Sequence, residues 1–412
     1  MTKILFLNDT IDYDNWGAHA CTIWLKAIIK NAIPDVSFIN VLSHWTTDEF
    51  YQYPWWWGGA VKNRRRRIIG RFTKKLLFLP KVADDFEYIA DQWLRGEGGP
   101  FSQEFLNKLE LSDVVVFNAE GATYNNNSSA IRCLFALWLT EKRFRKPAFF
   151  TNGSVTLTPV YPVLNAMVQR TFSNITGVSV REPCSLENAN TWAPDARVEM
   201  FPDSVFYCAD QNEIKNHNEP MAFLESLKDK KYFCFSLSML TSAIDGCRIA
   251  DIEKTALFNL IISLKKIVPN AVLMAKDGMD QAIIKALARA TNSIYFGSEH
   301  HYPELVPLYQ NAQFMISGRY HHLILATIAG CPAIPLRTTS HKVDGLCRLM
   351  QPLLGEPFDP TWLQPVIGKI TEKARASIAE GEDLRQSLRD KALELCKLSA
   401  GIGEMIRKGM AA

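Results

Sequence analysis

The sequence predicts an α/β protein of two Rossmann-like domains with parallel sheets facing across a cleft. Three observations carry that reading. Short apolar runs of strand length alternate with longer segments of helical spacing along nearly the whole chain. The alternation stops at a polar, charged stretch, residues 211–231, and then starts again. At 412 residues the chain exceeds what one hydrophobic core usually serves. The expected parts are therefore an N-terminal domain at 1–210, a linker at 211–231, a C-terminal domain at 232–370 and a charged helical tail at 371–412 that packs back on the first domain.

In the first half, Lys3 to Asp9 reads as a strand, and 20–33 carries Ile23, Trp24, Ala27, Ile28 and Ile29 at helical spacing. The polar loop between them holds Asn15 and Gly17, which either line a cleft or do ordinary turn work. Val36 to Leu42 is a second strand. Regularity then fails over an insert at about 43–112. It contains Trp55, Trp56 and Trp57 beside Arg64, Arg65, Arg66 and Arg67. Indoles favour a membrane interface and arginines bind phosphate, so this patch suits anionic lipid or a phosphorylated acceptor; packing under the insert is the plain alternative. Asp113 to Asn118 is a β-branched strand followed by Glu120 and Gly121, then a helix from Ser129. Further strands are expected at 147–152, 178–180 and 198–201, with helices between. Arg181 and Asp203 fall at strand ends, where a cleft or a salt bridge would use them.

The second half repeats the pattern, with strands at 232–238, 271–275 and 294–296 and helices at 249–267, 281–290 and 304–311. The stretch Gln313 to Leu336 organises the rest. An apolar run ending in Ser317 and Gly318 reads as a buried strand, and 322–329 as the helix after it, so Arg319, Tyr320 and His321 occupy the turn between. Such a turn favours anions, because free backbone N–H groups and the helix dipole point at it. After a strand at 333–336, a loop brings Ser340, His341 and Lys342 to the same edge.

Arg319-Tyr320-His321, followed by a small apolar helix and Gly330-Cys331-Pro332, resembles the Arg-x-His signature of the polysaccharide pyruvyl transferases. Asn15 and Gly17, the Glu120-Gly121 turn, Arg181 at its strand end, the Pro202-Asp203 pair and the loop at 337–342 resemble other motifs of that family in the same order. The turn departs from the pattern at Ala119, where the family has glycine. The resemblance implies transfer of a pyruvyl group from phosphoenolpyruvate to a sugar of a cell-surface polysaccharide or its lipid-linked precursor, with a ketal formed and phosphate released. It implies His321 as general acid, Arg319 and Arg181 as grips for carboxylate and phosphate, and Glu120 or Asp203 as base for the acceptor hydroxyl.

Composition narrows the rest. A net charge of +3 argues against broad nucleic-acid binding. Nine Cys without CxxC spacing, and paired histidines without HxxxH, argue for free thiols and against a metal. No cofactor is expected beyond phosphoenolpyruvate as donor. The N-terminal apolar run is strand-like and no stretch of eighteen apolar residues occurs, so a cytoplasmic protein is expected, with peripheral membrane contact through the insert. The architecture is GT-B-like, which keeps two rivals open: a glycosyltransferase using a nucleotide sugar, and a saccharide-binding relative without turnover.

Overall fold

The structure is a computed structural model that describes residues 1–12, 15–42, 79–125, 127–210, 222–238, 251–275 and 278–411. The aromatic and basic run expected to touch a membrane, Trp55 to Arg67, lies outside the described residues.

The N-terminal sheet contains β1 (Thr2–Asp9), β2 (Val36–Leu42), β3 (Val114–Asn118), β4 (Ala148–Gly153), β5 (Gly177–Val180) and β6 (Val198–Met200). Its order is β2-β1-β3-β4-β5-β6, and every pairing is parallel. The crossovers include α1 (Trp16–Ala32), α2 (Phe86–Leu94), α3 (Gly99–Glu110), α4 (Ser128–Phe144), α5 (Pro162–Phe172) and α6 (Pro183–Trp192). The C-terminal sheet contains β7 (Tyr232–Ser238), β8 (Asn270–Met274), β9 (Ile294–Phe296), β10 (Met315–Gly318) and β11 (Ala333–Pro335). Its order is β9-β8-β7-β10-β11, again all parallel. Helices α7 (Asp251–Lys265), α8 (Gly278–Ala290), α9 (Leu305–Asn311), α10 (Tyr320–Ile328) and α11 (Lys342–Leu349) cover it. Strands such as β3 and β7 are apolar at nearly every position because helices bury both faces of a parallel sheet.

Several elements begin elsewhere than their apolar spacing suggests. Asn15 caps α1, its Oδ1 accepting from Gly17 N at 2.9 Å and Ala18 N at 3.2 Å, which pulls the helix start back to Trp16. Residues 86–110, expected to be irregular, are mostly helical. Phe86, Ile89, Ala90 and Trp93 make one face, and with Phe101 and Phe105 they join the core around Phe135 and Trp138. Tyr320 and His321 are not in the turn but in the first turn of α10, with Arg319 as its cap residue. The loop expected after β11 ends at Lys342, where α11 starts.

Each sheet reverses direction of build once, between β1 and β3 and between β7 and β10. Crevices outside the strand ends at such reversals are where open α/β sheets take ligands. The tail closes the molecule. Helix α12 (Leu363–Ser399) breaks at Gly381, whose φ is 60°, and α13 (Gly401–Ala411) returns to the first sheet. There Ile402, Met405 and Ile406 pack with Ile4, Phe6, Ile28, Val114 and Phe149. The two halves also share one core: Trp16 and Trp24 of α1 and Phe206 cluster with Leu323 and Ile324 of α10 and with Leu384, Leu388 and Leu395 of α12.

Leu388→Ala is expected to lower the unfolding free energy by about 2–5 kcal/mol, the cost of a cavity in a packed core. Urea titration reads it, and an unchanged midpoint would remove α12 from that core.

Candidate active site

The ends of β1, β3, β7 and β10, with the helices that follow them, wall a cavity of about 370 Å3. Asn15, Gly17 and Gly121 line it from the first half, and Arg319, His321, Ser340 and Lys342 from the second. Arg181 and Asp203 are absent from that lining and stand buried behind it, while Glu120 and His341, also absent from it, are partly exposed beside the lining residues Gly121 and Lys342.

The layer behind is organised by a buried ion pair. Arg181, 1% exposed, donates from Nη1 to Asp203 Oδ2 at 2.7 Å, and Asp203 has no exposure at all. Arg181 Nε donates to Ser154 Oγ at 2.8 Å, and its guanidinium carbon lies 4.5 Å from the centre of the Tyr320 ring. Burial works against both charges. The pairing outweighs it, holding Asp203 well below the usual carboxylate range and Arg181 above its own.

His321 reaches into this layer from the opposite lobe. Its Nε2 lies 3.0 Å from Cys21 Sγ, 3.4 Å from Arg181 Nη1 and 3.5 Å from Asp203 Oδ2. Burial lowers its pKa below the ordinary histidine value, and Asp203 opposes that shift. Gly17 makes the insertion possible, because a Cβ there would overlap the imidazole ring.

Glu120 sits at positive φ, 43°, immediately before Gly121. The Thr10 hydroxyl at 3.0 Å and Asn118 Nδ2 at 3.2 Å both donate to its Oε1. Burial nevertheless pushes its pKa up to about 7, with Arg181 pulling the other way. Across the cavity Lys342 is lowered to about 8 by burial and by Arg181 and Arg319. Arg181 Nη2 and Lys342 Nζ lie 3.7 and 3.8 Å from where a Cβ on Gly121 would be. Arg319 lines the cavity with its guanidinium held by Asp280, Nε donating to Oδ2 at 3.0 Å. His341 faces away from the cavity: its Nε2 stands 3.1 Å from Ser185 Oγ and 3.5 Å from Glu182 Oε1.

Two polar partners were not foreseen. Cys21 lies one helical turn beyond Gly17 on the same face of α1, which is the signal that would have found it. Asp280 lies in the first turn of α8, and nothing local marks it as the partner of an arginine 39 residues away. Among the described residues, Cys21, Asp203 and His321 offer ligand atoms within 4.8 Å of one another, the spacing a metal ion needs. Arg181 Nη1, at 2.7 Å from that carboxylate, already puts a cation among them.

A profile of the polysaccharide pyruvyl transferase family matches residues 15–340. The chain belongs to this family. This pyruvyl transferase family member has no significant match among curated proteins. Its fold is that of GT-B glycosyltransferases and sugar epimerases. A UDP-GlcNAc 2-epimerase from Neisseria meningitidis, bound to UDP-GlcNAc, superposes with a TM-score of 0.55 at 12% identity, over 100% of both chains. An α,α-trehalose 6-phosphate synthase from Burkholderia multivorans gives 0.54 at 10% identity, over 100% of this chain and 98% of its own. A glycosyltransferase from Rickettsia africae gives 0.52 at 11%, over 100% and 97%. At such identities the likeness is one of fold. The family supports a transferase that modifies polysaccharide, and no described helix is long and apolar enough to cross a membrane.

Asp203→Asn leaves the Arg181 charge buried without its counter-ion, and a loss of about 3–5 kcal/mol of stability is expected. The pH dependence has a definite sign. Because folding depresses the Asp203 pKa, its contribution is present above the unfolded value of about 3.9 and lost as pH falls through the folded one. Urea midpoints between pH 7 and pH 3 should therefore fall more steeply in the wild type than in the variant.

Proposed function

We propose that the protein transfers the pyruvyl group of phosphoenolpyruvate to a sugar of a cell-surface polysaccharide or of its lipid-linked precursor, forming a ketal and releasing phosphate. The observation that carries this reading is the lining of the cavity. Arg319, His321 and Lys342 meet there beside the N-termini of α1 and α10, in a chain of the pyruvyl transferase family. A small molecule bearing both carboxylate and phosphate suits such walls.

The reaction needs a proton delivered to the enol carbon C3, two sugar oxygens added in turn to C2, and departure of phosphate. The two hydroxyl protons released balance the one gained by C3 and the one gained by the leaving phosphate. Arg319 and Lys342 hold the anion, and Arg181, behind Gly121, adds a fixed positive field. His321 is the general acid. Burial keeps its ring neutral when the cavity holds no anion, and the charge of the donor raises its pKa on binding, so the ring takes up the proton it then gives. Glu120, with a pKa of about 7, takes the proton of the acceptor hydroxyl. Asp203 stays ionised and is too weak a base for that step. This chemistry uses fixed cations and proton carriers and calls for no nucleotide or metal, and a site on cytoplasmic donor fits a cytoplasmic enzyme.

Calorimetry separates this function from its rival. Phosphoenolpyruvate is expected to bind and a panel of nucleotide sugars is not; the opposite pattern would mean a GT-B-type glycosyltransferase. Turnover should also follow a bell-shaped pH profile. Activity rises through about 7 as Glu120 loses its proton and falls above about 8 as Lys342 loses its charge. Glu120→Gln is expected to abolish the acidic limb, and a limb that persists in that variant assigns it to another group.

A further inference from the structure

The two nitrogens of the His321 ring face different surroundings. Nε2 points at Cys21, Arg181 and Asp203, all of which lie outside the cavity lining. The opposite edge, carrying Nδ1, lies against Gly17, which lines the cavity together with His321 itself. We propose that the proton His321 exchanges with substrate passes through Nδ1, and that Cys21 is the positioning residue that, with Asp203, keeps the far nitrogen Nε2 protonated and out of reach. This rests on the acid role given to His321 in the pyruvyl transfer above.

The donor and acceptor capacities around Nε2 fix the assignment. Asp203 as a carboxylate can only accept, and it sits at ion-pair distance from Nε2. Arg181 can only donate, and its Nη1 is directed at Asp203 at 2.7 Å, nearer than the 3.4 Å to the ring. The closest atom to Nε2 is therefore a sulfur able to accept its proton while its own S–H turns to Asp203 Oδ1, 3.7 Å away. Asn152 steadies that sulfur, donating from Nδ2 at 3.7 Å, and is itself tied to Ser204 by two bonds of 3.0 Å. Burial and the Asp203 charge raise the Cys21 pKa, so the group stays a thiol with an S–H to donate. With Nε2–H held in this way, the charged ring gives its Nδ1 proton to C3 and becomes the neutral Nε2–H form. The proton of the second acceptor hydroxyl then recharges Nδ1, that of the first having passed by way of Glu120 to the leaving phosphate. One α1 face serves both edges of the ring: Gly17 leaves room for it, and Cys21, four residues on, meets its far side.

Nitrogen NMR of the full chain labelled with 15N-histidine tests the proposal, the His321 signals being assigned by their loss in His321→Gln. The neutral wild-type ring is expected in the Nε2–H form, and added phosphoenolpyruvate should shift Nδ1 and leave Nε2 in place. Cys21→Ala is expected to lose Nε2–H signal in favour of Nδ1–H at an unchanged melting temperature, and Cys21→Ser to restore it. A wild-type ring protonated on Nδ1 alone would overturn the proposal, as would an alanine variant with the wild-type tautomer. Should the alanine variant not fold, Cys21→Val takes its place, since it keeps the volume and removes the acceptor. A Cys21-dependent Nε2–H form in a protein that does not bind phosphoenolpyruvate would refute the donor and leave the role of Cys21 standing.

Discussion

The site depends on the contact between Arg181 and Asp203. Two opposite charges without solvent are stable only when each satisfies the other and further polar groups complete them. Ser154 and the Val205 N–H do so here, the latter donating to Asp203 Oδ1 at 2.9 Å. Around that pair the remaining groups acquire their properties. Its Arg181 opposes the desolvation of Glu120 and contributes to lowering Lys342, and both of its charges face Nε2 of His321. Residues that do not touch the cavity thus adjust the protonation that burial sets in those beside it.

The arrangement distributes labour between the lobes. The first supplies the paired charges, the cap at Asn15 and the close backbone of Gly17 and Gly121. The second supplies side chains that cross over: His321 into the charged layer and His341 onto Glu182 and Ser185 at the start of α6. Neither lobe holds a complete set of groups. The family signature Arg-x-His therefore splits in role, Arg319 being held by Asp280 within its own lobe while His321, two residues on, belongs to the other.

How much of this was legible in the sequence follows from the range of each interaction. Apolar runs such as 113–118 and 232–238 marked their strands because burial on both faces leaves a local record. The junction at Arg319 was legible for the same reason, since a strand end and a helix start bracket it, although the helix begins one residue later and takes His321 into its first turn. Helix starts were less so: a single Asn15 side chain, competing with the polar loop around it, moved α1 to Trp16. Helices α2 and α3 were missed because aromatic residues diluted by charged ones carry their spacing. The pairings of His321 with Cys21 and of Arg319 with Asp280 left no mark, because contacts across 300 and 39 residues are products of the fold and not of any window.

The core that Trp16, Phe206, Leu323 and Leu388 share has a consequence for traffic through the enzyme. A clam-shell swing of the halves would strip several large apolar side chains from one another, at roughly 1.5–3 kcal/mol for each one fully uncovered. A route that leaves this core intact is therefore the cheaper one for anything entering the cavity, and the spacing between the groups on its two sides stays fixed.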